Sequence, residues 1–194
     1  MSTGAPGSRK TEVLEGIVDY VFENGVSDLS LRPLAEALNT SPRMLLYHFG
    51  TKERLLAEVL AAARARQYAM LGEWAQEGAT LPELVRRYWA WAASDRSRPY
   101  MRLFFEVYGL AVQGRPGTED VLPSVSSHAV EFFSTAATRT GVTSDAVDEL
   151  VRLSLAVMRG LLFDLLATND RPPLDADLDR FLAFLASQLG PPQE

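Results

Sequence analysis

Two sets of side chains in this sequence have the types and spacing to do chemistry. The first lies between Ser30 and Lys52, where Ser30, Arg32, Ser41, Arg43, Tyr47, His48, Thr51 and Lys52 crowd hydroxyl, phenol, imidazole and cationic groups into one short stretch. Such groups suit phosphate oxygens, and an arginine can bond guanine through two parallel N–H donors. The second set is four carboxylates, Glu106, Glu131, Asp148 and Asp164, each on an otherwise apolar segment. Carboxylate catalysis is one use for them, but each reads more simply as a residue at the edge of a buried face. There is no cysteine, and His48 and His128 stand 80 positions apart with no His-x-x-x-His or Glu-x-x-His pair. A thiol nucleophile or a metal centre has no evident ligand set, so neither metal nor cofactor is expected.

Composition bounds the frame around these residues. The 194 residues are 47% hydrophobic and 23% charged, enough apolar mass for one large domain or a small one beside a medium one. Nineteen Lys and Arg against 25 Asp and Glu give a formal charge of −6, which taken alone argues against nucleic acid. The distribution argues otherwise. Ser30 to Arg66 carries six basic and three acidic residues, a local +3, whereas the chain from Gln67 onward is −6. The longest stretch without a charged residue, Phe181 to Gln193, is well short of the roughly 18 apolar residues of a spanning helix. No membrane partner is expected. Met1 to Ser8 is small and polar rather than basic then apolar, which predicts a cytoplasmic protein.

The elements that position the first set read as helices, and the chain as all-α. Val13, Leu14, Ile17, Val18, Val21 and Phe22 form a 3.6-residue stripe from Lys10 to Asn24, stopped by Gly25. Ser30 is expected to cap a second helix with Leu31, Leu34, Ala35 and Leu38 on its apolar face, and Asn39 to end it in the left-handed region. Ser41-Pro42 opens a third helix that reaches about Phe49 and breaks at Gly50-Thr51, with Leu45 and Phe49 in the core. A long fourth helix then runs to about Ala75. Further helices are expected over Pro82 to Ser94, Arg98 to Val112, Glu119 to Arg139, Ser144 to Thr168 and Asp175 to Leu189, nine in all. Turn chemistry at 114–117, Thr140-Gly141 and 169–173 separates the later ones.

The turn of about four residues between the second and third helices has helix-turn-helix spacing, a weak signal by itself. Leu29-Ser30-Leu31-Arg32, Leu34 to Leu38, Ser41-Pro42, Tyr47-His48-Phe49, Lys52-Glu53 and Leu55-Leu56, all in register, resemble the N-terminal DNA-binding domain of the TetR family of transcriptional regulators. The resemblance spans about Arg9 to Leu60. It implies a DNA-binding domain over 9–56 and a ligand-binding and dimerisation domain over 57–190. Ser41, Pro42, Arg43 and Met44 would reach base edges, Arg32 bases or phosphate, and Ser30, Tyr47, His48 and Lys52 phosphate. The family commonly has Gly, Thr and an aromatic residue where this chain has Arg43, Met44 and Leu46, so its operator is expected to differ from those of relatives.

For the body, aromatics at helical spacing are first of all core. The resemblance adds an apolar cavity for a small organic effector, with Trp89, Phe104, Tyr108, Met158 and Phe163 as candidate walls. It also implies a homodimer through the last two helices, whose apolar surface is wider than one partner helix covers, with Ser154, Ala156 and Gly160 allowing close approach. The expected function is a ligand-responsive regulator, a repressor released from a palindromic or near-palindromic double-stranded DNA operator. An all-helical enzyme or adaptor that uses the C-terminal pocket without binding DNA is the alternative.

Overall fold

The computed structural model describes residues 6–24, 30–139 and 147–189, and every described element is helical. The expected cap at Gly25, the turn at Thr140-Gly141 and the helix start at Ser144 lie outside these residues. Packing divides the chain into two units, one of Met1–Arg66 with Asp95–Leu122 and the other of Gln67–Ser94 with Pro123–Glu194.

In the first unit, α1 (Pro6–Asn24) buries Val13, Ile17, Val18 and Val21, the stripe expected from their spacing. It packs on α2 (Leu31–Ala37) and on α6 (Arg98–Val112), so the segment from Asp95 to Leu122 belongs by packing to the same unit as the helix-turn-helix. Phe22 stacks on the buried Tyr100 of α6, ring centres 5.7 Å apart and 5° from parallel. α3 (Pro42–Phe49) and α4 (Lys52–Gln76) follow, and Leu55, Leu56, Val59 and Leu60 complete the core. Arg66 donates to Asp19 at 2.7 Å and also to Glu15, and these two carboxylates raise its pKa.

In the second unit, α5 (Leu81–Ala92) packs against α8 (Ala129–Arg139), α9 (Val147–Thr168) and α10 (Arg171–Leu189). α9 is the spine. Val147, Leu150, Val151, Ser154, Met158, Leu162 and Leu165 turn inward at steps of three and four, the period of one helix face.

Three expectations are corrected in detail. The helix expected over Glu119 to Arg139 starts at Val121 and is interrupted: α7 (Val121–Pro123) passes through a π turn (Ser124–His128) into α8. Glu119 is not in a helix because its carboxylate folds back to accept the Gly117 N–H at 2.9 Å, which lowers its pKa. The Val125 carbonyl in the π turn accepts from Arg159 at 2.9 Å. The 169–173 turn is shorter than expected, since α10 begins at Arg171; Pro172 and Pro173 fit a first turn, where a missing N–H costs nothing, and Asn169 alone makes the reversal with φ 57°. Ser30 stands at the N-cap of α2 in extended backbone, but its side chain makes no capping bond. With α7 and α8 counted as one interrupted helix, the described residues hold nine.

Candidate nucleic-acid interface

The geometry of the α3 surface follows from how the helix is anchored.

 Leu45 and Phe49, four apart, are fully buried against the core, and Lys10 lies 5.0 Å over the Phe49 ring while bonding Glu58 of α4 at 2.6 Å. With that face held from behind, Pro42, Arg43, Met44, Leu46 and Tyr47 are all exposed, Tyr47 at 79%. Both ends of α3 are fixed. Ser41 is extended and its hydroxyl oxygen accepts the Met44 N–H at 3.2 Å, the expected cap, which leaves the hydroxyl proton to donate outward. Gly50 ends the helix with φ 80°, a conformation that strains any residue with a Cβ.

The turn ahead of α3 is made as expected by Asn39, whose φ of 49° is left-handed, and the Thr40 N–H donates to the Ala35 carbonyl at 2.9 Å. On the other side Thr51 accepts the Arg54 N–H at 3.1 Å and so opens α4, placing Lys52 exposed in its first turn. Anions are favoured there by unpaired N–H groups and the helix dipole. His48 is half-buried, edge-on to both Tyr47 and Phe49. Arg32 and Arg54 pair along their own helices, with Glu36 at 3.6 Å and Glu58 at 3.4 Å, whereas Arg43 and Lys52 enter no ion pair among the described residues. Exposed pairs such as Arg32 with Glu36 are worth little and open readily to a phosphate.

Sequence reasoning missed the support behind this surface. Lys10 and Glu58 lie 48 positions apart with no spacing to link them, and only their spatial meeting reveals them. It also missed the 114–118 loop, where Gly117 (φ 89°) sits so close to Arg54 that an added Cβ would come within 3.0 Å of the Arg54 Cβ, and Arg115 reaches Glu53 at 3.7 Å. The Gly114-Arg115-Pro116-Gly117 run was a turn signal with nothing to say what it touches.

The candidate cavity residues are scattered. The second unit has a narrow cleft, with room of only about 10 Å³, lined by Leu81, Val85, Tyr88, Phe133, Val151, Ser154, Leu155 and Met158, so Met158 is the one expected residue in its wall. Trp89 is buried with its indole N–H donated to Asp175 of α10, Phe163 is exposed, and Phe104 and Tyr108 stack on each other at 5.7 Å along α6 in the first unit. Ser154, expected to ease helix approach, is buried in the cleft wall instead, its hydroxyl donating to the Leu150 carbonyl at 2.7 Å.

An all-helical chain that presents the outer face of a helix-turn-helix, with two uncommitted cations on it, has the form of a DNA-binding protein. Comparison supplies the family: residues 13–59 match the family described as bacterial regulatory proteins, tetR family. That match spans the helix-turn-helix and its flanking helices, so this part of the chain is similar to the DNA-binding domain of TetR-family transcriptional regulators. A transcriptional regulator from Rhodococcus sp. Rha1 shares its fold, with TM-score 0.71, 17% identity and coverage of 92% of this chain and 96% of the other. The multidrug binding protein EbrR, solved with imidazole, superposes with TM-score 0.66 at 22% identity, covering 98% of this chain and 94% of its own. No curated protein matches in sequence. Among the described residues no helix is long and apolar enough to cross a membrane.

Proposed function

We propose that the chain is a cytoplasmic, ligand-responsive repressor that binds a palindromic or near-palindromic DNA operator as a homodimer and releases it on binding a small organic effector. The observation that carries the DNA half of this reading is the α3 surface, on which Arg43 is exposed and without an ion-pair partner among the described residues while Leu45 and Phe49 fix the helix from behind. Arg43 reads a guanine. Ser41, Pro42 and Met44 reach neighbouring base edges, Arg32 meets a base or a phosphate, and Ser30, Tyr47, His48 and Lys52 hold phosphates. The uncommitted Ser30 side chain at the cap of α2 supports its part. The functional division falls at 9–56 for DNA binding and 57–190 for ligand binding and dimerisation.

Dimerisation through α9 and α10 is supported by a second apolar stripe on α9. Leu153, Ala156, Gly160, Phe163 and Ala167, at steps of three and four, are exposed along a face other than the buried one, and Phe184 of α10 is exposed as well. A two-fold axis along such a face would set two reading helices on successive major grooves, about 34–36 Å apart. The cleft supports an effector that is uncharged and small. Its wall has no ionised side chain, the Ser154 proton is already donated within α9, and its room of about 10 Å³ is far below the roughly 300–1,000 Å³ of drug-sized sites, so a ligand would have to part the helices that line it. Release would work through α4, one unbroken helix from Lys52 to Gln76, whose first turn is braced by Gly117 and Arg115. An effector must favour the state that does not fit DNA, and coupling of about 1–3 kcal/mol is typical.

The test is operator binding by fluorescence anisotropy across a salt series. Arg43→Ala should cost about 1–3 kcal/mol on the operator and relax sequence choice, while Lys52→Ala should weaken all sequences alike and flatten the salt slope. Equal, small effects from both would sink the assignment of roles, and no binding to any duplex would favour the adaptor alternative.

A further inference from the structure

The exposed face of α3 is more apolar than phosphate and hydrogen-bond recognition would call for. At about 100° per residue, Arg43 and Tyr47 share one ridge opposite Leu45 and Phe49, with Met44 on one flank and Leu46 on the other. Met44 is 43% exposed and Leu46 37%, and neither side chain has an N–H or O–H to donate. Next to them Arg43 is the only cation on the outer turns of α3.

An apolar side chain on the groove side has one good partner there. The 5-methyl of thymine is the apolar feature of the major-groove edge, and all other base-edge atoms that distinguish the pairs are donors or acceptors. Met44 is placed to use it. Its own N–H is held by Ser41, so the first turn of α3 is fixed, and its side chain is unbranched and polarisable enough to settle on a methyl at the groove floor. Arg43, the neighbouring residue, commits the adjacent position to guanine.

We infer that Met44 is a specificity-determining residue that reads a thymine methyl beside the guanine engaged by Arg43, so that each half-site of the operator contains a G·C pair next to an A·T pair with its methyl turned toward α3. This rests on the reading of α3 as the recognition helix. It gives the base-edge contact of Met44 a defined chemical feature of the DNA.

The experiment begins with selection of bound sites from random duplexes by the purified full chain. In the recovered site each thymine is then replaced singly by deoxyuridine, which removes the methyl and nothing else. One position per half-site, beside the guanine whose preference is lost in Arg43→Ala, should weaken binding roughly three- to tenfold, the scale of one buried methyl. Met44→Ala should weaken binding to the thymine site by a similar factor and become indifferent to deoxyuridine at that position. Leu46→Ala should keep the dependence. Met44 is exposed, so the variant should melt with the wild type, which separates lost reading from lost folding. The inference is overturned if no thymine methyl matters, or if the methyl effect survives in Met44→Ala. Failure to recover any site would overturn the DNA reading beneath it, a result distinct from both.

Discussion

The surface of α3 and the cleft of the second unit treat polar groups in opposite ways. On α3 the hydroxyl of Ser41 accepts a backbone N–H and keeps its proton for a partner, and Arg43 stands in solvent with no carboxylate committed to it among the described residues. In the cleft the hydroxyl of Ser154 gives its proton to its own helix and the remaining wall is hydrocarbon and aromatic. The first arrangement discriminates, because a wrong base leaves donors unpaired. The second is tolerant, because an apolar wall separates ligands chiefly by size and shape. The proposed ligand-responsive repressor would need both, and the contrast can be attacked from either side.

The largest effect should come from the residue that keeps the reading face in place. Phe49 is 1% exposed beneath α3 with Lys10 over its ring, so Phe49→Ala should lose about 3–5 kcal/mol in urea unfolding followed by circular dichroism. Tyr47→Ala, two residues away and outward, should stay within about 0.5 kcal/mol of wild type while lowering DNA affinity. If the two variants are equally stable, α3 is not held as described and the contrast between its faces fails.

Next in size is the brace on α4. Gly117→Ala puts a Cβ against Arg54 at a φ of 89°, and the combined strain and clash should cost about 1–3 kcal/mol. Because the atoms displaced belong to the first turn of α4, operator affinity should fall with stability. A variant as stable as wild type with full DNA affinity would remove the loop from the coupling route.

How much of this was legible in the sequence depends on the range of the interaction. The head could be read closely because local rules decide it: Asn39 where φ must be positive, Ser41-Pro42 at a helix start, and Leu45 and Phe49 one turn apart. The body's helices were legible as periodicity, and Arg98–Val112 has the bounds expected. The break at Ser124–His128 was not, since a π turn is settled by tertiary partners such as the Arg159 bond to Val125, and these leave no periodic trace. The cleft was harder still. Tyr88, Phe133 and Ser154 line it because α5, α8 and α9 converge, and no spacing within one helix says which of two aromatic neighbours, Tyr88 or Trp89, will face the gap.

The cleft itself can be tested by filling it. Ser154→Leu adds hydrocarbon where the wall already turns inward, and should abolish binding of a small neutral probe such as xenon, followed by xenon NMR, without altering operator affinity in its absence. Retained probe binding would place the ligand site elsewhere.

The smallest effect concerns how the helices on either side of the contrast begin. α5 starts with Thr80, whose backbone N–H and hydroxyl both donate to Glu83, at 2.7 and 2.8 Å. These bonds, the backbone one first, lower the Glu83 pKa from its usual 4.5. A carboxyl with a folded pKa below its unfolded value stabilises the fold above that unfolded value, and the contribution is lost as pH falls through the depressed one. The Ser41 cap of α3 is a hydroxyl and does not titrate in this range. Glu83→Gln should therefore cost less than about 1 kcal/mol at pH 7, because the site is exposed, and the difference from wild type should vanish as the pH drops below 4.5. Trp74, Trp89 and Trp91 all lie in the second unit and none in the first, so tryptophan fluorescence during urea unfolding reads this side of the molecule alone. Ser41→Ala, followed by circular dichroism, should cost about 1 kcal/mol with no such pH dependence. A Glu83→Gln deficit that persists unchanged at pH 3 would show that the amide is a poorer cap for geometric reasons, and the carboxylate charge would then have no part in starting α5.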